Sequence, residues 1–180
     1  MIFILYTSRY DSPLGGILLA GDDEALTGLW FDGQKYFADT LPAQHAARET
    51  PVFDAAKRWL DVYFRGERPD FTPPVKWEAT PFRSAVWEIL VSVPYGTTVT
   101  YAEIASRIAR QRGLAHMSAQ AAGSAVAHNP ISVIVPCHRV VGTDGSLTGY
   151  AGGIGKKLRL LELERVDTSR FFIPKKGTAL

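Results

Sequence analysis

Short apolar runs alternate with turn residues in the first third of the chain. β-strands are predicted for three of these runs: Ile2–Tyr6, Gly16–Ala20 and Leu26–Phe31. The segments between them, Ser12–Gly16 and Gly21–Asp23, contain the glycine, proline and aspartate that are typical of turns. Because the connections are short, we expect consecutive strands to pair antiparallel in a three-stranded sheet.

A helical period replaces the strand pattern near residue 50. Thr50 is a typical N-cap, Pro51 suits the first helical position, and Gly66 is typical of the position beyond a helix end. Between them, apolar side chains recur at the spacing of one helix face: Phe53, Ala56, Trp59, Leu60, Tyr63 and Phe64.

A proline-rich stretch follows this helix. Arg68–Pro74 contains three prolines, which exclude regular structure and favour an extended path. We therefore predict a linker here, with an N-terminal α/β domain over residues 1–75 and a C-terminal domain over residues 76–180.

Helix signals dominate the second predicted domain. Good N-cap residues precede three predicted helices: Thr80, Thr100 and Ser118. The helix after Thr100 is predicted to run to about Arg110, and the helix after Ser118 to cover Ala119–Ala127. Two short helices joined by a turn are typical of a helix-turn-helix. The fold class is therefore predicted to be α+β, with a mostly helical C-terminal domain.

The second helix of this pair consists almost wholly of small residues. Seven of its nine positions are alanine, glycine or serine. Such a helix either packs closely against a neighbouring helix or presents a slim surface to a narrow groove, such as the DNA minor groove of about 6 Å width. The connection that precedes it, Gln111–Met117, is longer than a tight turn.

Composition and charge narrow the class of protein. The hydrophobic content of 46% and charged content of 21% are ordinary for a globular protein, and no apolar stretch is long enough for a transmembrane helix. The apolar first residues lack a basic flank and a cleavage site, so no signal peptide is predicted.

The charge is distributed unevenly along the chain. Residues 1–79 hold 8 Lys+Arg and 12 Asp+Glu, a net −4, whereas residues 80–180 hold 12 Lys+Arg and 6 Asp+Glu, a net +6. This asymmetry points to a polyanionic partner for the second half.

Cys137 is the only cysteine of the chain, and His138 follows it directly. The run Ile131–Val135 is predicted to be a buried strand that ends at Pro136 and presents the thiol. A thiol is a strong nucleophile only as a thiolate, and a neighbouring histidine promotes that form. The alternative is that a lone cysteine is a small buried hydrophobe. Since a reactive thiol needs a reducing compartment, we expect a cytoplasmic protein.

Several motifs near this thiol resemble those of the O6-alkylguanine-DNA alkyltransferases. That family has Asn-Pro, then Pro-Cys-His-Arg-Val, then Tyr-x-Gly-Gly, and this chain has the same motifs at residues 129–130, 136–140 and 150–153. The similarity extends from about residue 80 to about residue 165.

The resemblance implies direct repair of DNA in a single turnover. An alkyl group moves from O6 of guanine, and from O4 of thymine, to Cys137, which leaves an inactive S-alkylcysteine protein and a restored base. The implied partner is double-stranded DNA with alkylated bases, bound in the minor groove with the target base turned out of the stack. No cofactor is implied, and we expect a monomer.

The resemblance also assigns an activating relay. Cys137 is the attacking group, His138 takes its proton, and Glu164 orients the histidine. Glu164 lies in a helix predicted over Lys157–Glu164. Without the resemblance, the same glutamate would be interpreted as a solvated surface residue of an amphipathic helix.

Tyr101 and Asn129 complete the implied catalytic set. Tyr101 donates a proton to the departing guanine, since a phenol is neutral and able to donate at pH 7. Asn129 supports the active-site turn, although Asn-Pro is also a common turn opener. Glycines beside the pocket let the backbone approach a flat base closely. The pocket wall is assigned to Val140, Tyr150, Ala151 and Gly152.

DNA contacts are assigned to the paired helices and the active-site segment. The family has an arginine nine residues before the asparagine, where it fills the space of the extruded base, and this chain has Gln120 there. Gln120 carries no charge, but its amide can bond to the orphaned partner base. The charge of Arg139 suits DNA, and it equally suits stabilising the thiolate or joining a buried ion pair. The assigned contacts are Thr100, Ser118, Gln120, Ala121 and Arg139.

Further features separate the chain from related classes. Some family members hold zinc in the N-terminal domain, but here that domain has no cysteine and one histidine, His45, so no metal site is expected. Relatives that flag lesions without repair lack the cysteine, and damage-sensing regulators carry an extra Cys-rich domain. A cysteine hydrolase rarely forms its dyad from adjacent residues. These three alternatives are therefore disfavoured.

Overall fold

A computed structural model describes residues 4–175, and these residues divide into two units. The first contains the described residues up to Trp77 together with Pro130–Ile134. The second contains Glu78–Asn129 and the described residues from Val135 onward. Nothing in the sequence pattern predicts that Pro130–Ile134 belongs to the first unit.

The first unit is built on a four-stranded sheet of β1 (Leu5–Ser12), β2 (Gly15–Gly21), β3 (Leu26–Phe31) and β4 (His45–Ala47). The order across the sheet is β3-β2-β1-β4. β2 pairs antiparallel with both β1 and β3, which confirms the predicted antiparallel meander. A fourth strand, which the sequence did not predict, pairs parallel with β1 through three exposed residues without β-branched side chains.

The first strand differs from its predicted bounds. Residues 2 and 3 lie outside the described residues, and β1 continues to Ser12 instead of ending at Tyr6. Its last pair is Ser12 with Gly15, so only two residues form the turn. Residues 7–11 are mostly polar, so the pattern of apolar residues ends the predicted strand at Tyr6, whereas the backbone pairing with β2 continues through them.

The helix of the first unit is α1 (Pro51–Phe64). The Thr50 hydroxyl accepts a hydrogen bond from Phe53 N, and the chain leaves the helix through Gly66 at φ +79°, as predicted. The apolar face is buried, and it includes all but one of the predicted positions: Phe53, Ala56, Trp59, Leu60 and Tyr63.

The predicted strand Ile131–Val135 is wrong. Ile131 makes a single parallel bridge to Leu29, and Ser132 N donates to Leu29 O at 3.0 Å. The chain then turns, because Val133 adopts φ +69°, a left-handed conformation that a β-branched residue rarely takes and that cannot continue a strand. The apolar composition of this segment correctly predicts that it is buried, but it does not predict the backbone conformation.

The second unit is mostly helical, as predicted. Its elements are α2 (Pro81–Val91), β5 (Val99–Thr100), α3 (Tyr101–Gln111), α4 (Ala119–Ala127), a 3₁₀ helix (Cys137–Arg139), β6 (Val140–Val141) and α5 (Ile154–Leu163). β5 and β6 pair parallel. α5 begins one turn before the predicted start, because Gly153, at φ +93°, precedes it without a capping side chain that the sequence would reveal.

The small residues of α4 serve close packing on one side of the helix. Ala122, Ala125 and Val126 are buried, and Trp87 of α2 donates its indole N–H to Ala125 O at 2.8 Å. A side chain at Gly123 would meet the Tyr101 ring at 3.5 Å. The close-packing interpretation therefore holds for this side, while Ser118 and Gln120 are exposed on the other. None of the helices in residues 4–175 is long and apolar enough to cross a membrane.

Candidate active site

Cys137 is the first residue of the 3₁₀ helix in the second unit and is only 4% exposed. Its amide donates to Val135 O at 2.9 Å, and Asn129 Nδ2 donates to the same oxygen at 2.8 Å. Asn129 thus holds the turn that presents the thiol. Burial raises the pKa of Cys137, while a hydrogen bond from Asn129 and the charge of Lys157 oppose that rise. The resting thiol is therefore protonated and needs a base.

His138 is fully buried beside the thiol in sequence, and its Nε2 lies 2.6 Å from Glu164 Oε1. Because an ionised carboxylate can only accept, Nε2 carries the proton and Nδ1 is the basic nitrogen. Burial lowers the pKa of His138, and the charges of Arg139 and Lys157 lower it further, while Glu164 raises it. The structure thus brings the predicted histidine and glutamate together.

Glu164 directly follows α5 and is 3% exposed, so the interpretation as a solvated surface residue is wrong. Besides His138, it accepts from Gly96 N at 3.0 Å and from Arg139 through both carboxylate oxygens. Burial alone would raise the pKa of Glu164, but the hydrogen bonds and charges of His138 and Arg139 hold it well below its usual range. The group is a permanent carboxylate at neutral pH.

Arg139, assigned from sequence to DNA binding, is buried and bonded within the protein. Its side chain is buried, with a residue exposure of 7%, and Nη1 donates to Val93 O at 2.7 Å. Nε donates to Glu164 Oε2 and Nη2 donates to Oε1, each at 2.9 Å. The guanidinium is thus committed to the protein interior, and the assignment of Arg139 to DNA binding is corrected to a buried ion pair.

Lys157 is a buried cation that sequence reasoning missed. It is fully buried, and its Nζ donates to Thr148 O at 2.7 Å and lies 3.5 Å from Tyr101 Oη. Burial lowers its pKa to about 7, although the nearby Cys137 opposes the shift. A sequence signal existed, since Lys157 stands at helical spacing between Ile154 and Leu161 on the apolar face of α5.

Tyr101 is the first residue of α3, and its hydroxyl donates to Thr148 O at 2.7 Å. Burial is the main reason that its pKa is raised above the usual value, so the phenol is neutral. A side chain at Gly149, where φ is +72°, would come within 2.9 Å of the Tyr101 oxygen. A glycine is therefore needed where this loop passes over the phenol.

The remaining predicted pocket residues lie in the same unit. Val140 is fully buried in β6, where it pairs with Val99. Tyr150 is 7% exposed, while Ala151 and Gly152 are partly exposed just before α5.

The other predicted DNA-contacting residues lie at the start of α3 and α4. Ser118 is exposed and caps α4 through bonds from Gln120 N and Ala121 N. Gln120 is exposed and Ala121 is partly exposed. The Thr100 hydroxyl caps α3 in a capping box with Glu103.

Residues 4–175 contain no group of three or more His, Cys, Asp or Glu side chains that could hold a metal ion.

Two family models together match most of the chain. Residues 5–77 match the ribonuclease-like domain of 6-O-methylguanine DNA methyltransferase, and residues 81–166 match the DNA-binding domain of the same enzyme.

Curated relatives and solved structures agree with these matches. The methylated-DNA–protein-cysteine methyltransferase of Haemophilus influenzae is 39% identical over 90% of this chain and 87% of its own length. That of Mycobacterium bovis is 43% identical over 90% of this chain and 93% of its own. A crystal structure of Mycobacterium tuberculosis OGT in complex with DNA is 41% identical, has a TM-score of 0.75, and aligns over 94% of this chain and 95% of that chain.

Proposed function

The chain belongs to the 6-O-methylguanine DNA methyltransferase family, and on that premise we propose that Cys137 is the residue that receives the alkyl group. The reaction is direct repair of DNA by transfer of an alkyl group to a cysteine of the protein. One observation carries the assignment to Cys137. The only thiol of the chain is buried next to a histidine that is itself bonded to a buried carboxylate at 2.6 Å.

Proton transfer from Cys137 comes first in the proposed reaction. His138 Nδ1 accepts the thiol proton, and Glu164 stabilises the imidazolium that forms. The carboxylate is already ionised and held by other donors, so it needs no rearrangement when the histidine becomes charged. Lys157, when protonated, adds a favourable charge to the thiolate.

Alkyl transfer follows by displacement at carbon. The sulfur forms a bond to the alkyl carbon while the bond from that carbon to guanine O6 breaks, and the electron pair of the broken bond passes to guanine. Tyr101 donates its phenolic proton to the departing base, and the charge on the tyrosine oxygen is then quenched by the proton that left the thiol. The position of Lys157 Nζ, 3.5 Å from that oxygen, supports a role in stabilising the transient phenolate.

We further propose that α4 enters the minor groove of duplex DNA. The support is the exposed start of a helix made of small residues, with Ser118 and Gln120 accessible and no bulky side chain on that side. The basic balance of residues 80–180 favours backbone contacts, which make the affinity salt-dependent. Gln120 occupies the place of a wedge that supports the extruded base, and the target base must leave the stack before the thiol reaches it.

The finer assignments extend the same proposal. O4-alkylthymine is a second substrate, since it presents an alkyl group on an equivalent exocyclic oxygen. The protein acts as a monomer, because the proposed relay and pocket residues all belong to one unit of one chain. A thiol that must stay reduced supports a cytoplasmic location.

The test of this function is the number of bases repaired per chain. We expect wild type to repair one O6-methylguanine in a duplex oligonucleotide per chain and then stop, with no added cofactor. Cys137→Ser should bind the same oligonucleotide and repair none. Repeated turnover, as in a hydrolase, or repair by Cys137→Ser would refute the proposal.

A further inference from the structure

Arg139 and His138 bond to the same carboxylate oxygen. Glu164 Oε1 accepts from His138 Nε2 at 2.6 Å and from Arg139 Nη2 at 2.9 Å. A change at the guanidinium therefore reaches the histidine through one shared atom.

The geometry of the ion pair fixes the carboxylate in one orientation. Arg139 Nε donates to Oε2 at 2.9 Å while Nη2 donates to Oε1, which is the planar two-point pairing that only arginine offers. Nη1 donates to Val93 O at 2.7 Å, and Gly96 N donates to Glu164 Oε2 at 3.0 Å. These donors together hold the plane of the carboxylate against His138.

The charges around His138 act in opposite directions. Glu164 favours the imidazolium, whereas Arg139 from the same 3₁₀ helix and Lys157 from α5 disfavour it, and Cys137 is the neighbouring ionisable group in sequence. All of these groups are buried, so water screens their interactions little. A histidine facing a lone carboxylate would bind a proton more readily, and a protonated histidine cannot act as a base.

We infer that Arg139 is a positioning residue of the relay, which fixes the Glu164 carboxylate and offsets its charge so that His138 stays a neutral proton acceptor. The inference rests on the proposed role of His138 as the base. It differs from a DNA contact, since the guanidinium is buried, and from a merely structural ion pair, since it predicts a change in the pH dependence of the reaction.

The test is the rate of alkyl transfer against pH for Arg139→Gln and Arg139→Lys, in the full chain. Arg159→Gln is the control, since Arg159 is an exposed arginine on α5 paired with Glu162. Each variant is measured with duplex DNA containing O6-methylguanine and with the free O6-methylguanine base, which needs no DNA contact.

Arg139→Gln should move the acid limb of the profile to higher pH by about one unit, the size of shift that a lost neighbouring charge commonly gives. Its plateau rate should fall by up to about 100-fold because the carboxylate loses its fixed position. Arg139→Lys keeps the positive charge but cannot make the two-point pairing. The acid limb of its pH profile should therefore stay near that of wild type, while its plateau rate falls. Both substrates should respond alike, and Arg159→Gln should match wild type.

Several results would overturn the inference. If both Arg139 variants keep the acid limb and plateau of wild type per folded molecule, the ion pair is only structural. If only the duplex reaction changes, Arg139 is a DNA contact. If Arg139→Gln fails to fold, an Arg139→Lys protein with an undiminished plateau rate would be sufficient to reject a role for the two-point pairing. A wild type without any transfer would reject the proposed function instead, so the two failures are distinguishable.

Discussion

The two buried charges at the ends of α5 have opposite surroundings. Glu164, just after the helix, accepts from a histidine, an arginine and a backbone amide, and its pKa is held below the usual range. Lys157, in the first turn, contacts a carbonyl oxygen and a phenol, and within residues 4–175 it pairs with no carboxylate. Its pKa falls from 10.5 to about 7. One charge is compensated and the other is not.

The difference shows how the site divides its tasks. A compensated charge is permanent, and it can hold a neighbour such as His138 in place without changing during the reaction. An uncompensated buried cation costs stability, and it responds to a negative charge that develops nearby, as on Cys137. Variants that remove each charge should therefore change stability in opposite directions.

Glu164→Gln should give the largest change in the free energy of unfolding. The amide leaves the Arg139 charge buried without its partner, so we expect a loss of about 3–5 kcal/mol at pH 7, measured by urea unfolding. Glu162→Gln, at an exposed acid on the same helix, is the matched control and should differ from wild type by less than about 0.5 kcal/mol.

The pH dependence gives the sign of the Glu164 contribution. Its native pKa is depressed, so its stabilisation is present above the unfolded value of 4.5 and is lost as pH falls below that value. The gap between wild type and Glu164→Gln should therefore narrow in acid. A gap that is absent at pH 7, or that widens as pH falls, would contradict the compensated carboxylate.

Lys157→Met should have the opposite effect on stability. The folded state binds the lysine proton less readily than the unfolded state between pH 7 and 10.5, so the stability of wild type rises with pH across this window. Methionine removes the cost of burying the charge, and we expect a gain of about 2–4 kcal/mol at pH 7 that shrinks towards pH 10.5. The alkyl-transfer rate should fall.

Lys156→Met, at the partly exposed neighbouring lysine, provides the comparison for this gain. At pH 7 it should stay within about 0.5 kcal/mol of wild type. Equal slopes for wild type and Lys157→Met would show that Lys157 is not an uncompensated cation.

Tyr101→Phe tests a smaller contribution beside Lys157. Phenylalanine keeps the ring and removes one of the two donors to Thr148 O, so the expected loss of stability is about 1 kcal/mol. The transfer rate should fall by about 100-fold if the phenol is the proton donor. The measurement is the single-turnover rate of alkyl transfer for Tyr101→Phe and for the exposed-site control Tyr36→Phe. Equal rates for the two variants would show that Tyr101 is not the proton donor.

Gln120 should have the smallest effect on stability. Its side chain is exposed, so Gln120→Ala and Gln120→Arg should stay within about 0.5 kcal/mol of wild type. Gln120→Arg should speed repair in duplex DNA and Gln120→Ala should slow it, while neither should change reaction with the free base. If both substrates respond equally, Gln120 has no part in base extrusion.

Much of the fold was accessible from local signals. Thr50, Thr100 and Ser118 all cap the helices predicted for them, because a hydroxyl that accepts a backbone N–H is a local device. The bridge at Ile131 could not be predicted locally, since it depends on pairing with Leu29, which is distant in sequence. The left-handed conformation of Val133 could not be predicted either, because a β-branched residue rarely takes it. The division into domains at residues 75–76 stays a prediction.

The site residues likewise fall into those that the sequence predicts and those that it does not. Residues within a short motif, such as Cys137 and His138, were found from sequence, and the resemblance supplied Glu164. The resemblance also paired Glu164 with His138, but it did not supply the other two partners of the carboxylate. Gly96 contributes only a backbone amide, and a buried ion pair was one of three open interpretations for Arg139, with no carboxylate assigned to it. Lys157 was missed because a lysine at helical spacing is usually solvated.

The position of the transferred group tests the central claim most directly. Wild type is incubated with duplex DNA that contains O6-methylguanine, and the protein is then digested and its peptides are sequenced by mass spectrometry. The account predicts one methyl group per chain, carried only by Cys137. A methyl group on any other residue, or an unmodified Cys137 after the base has been repaired, would contradict it.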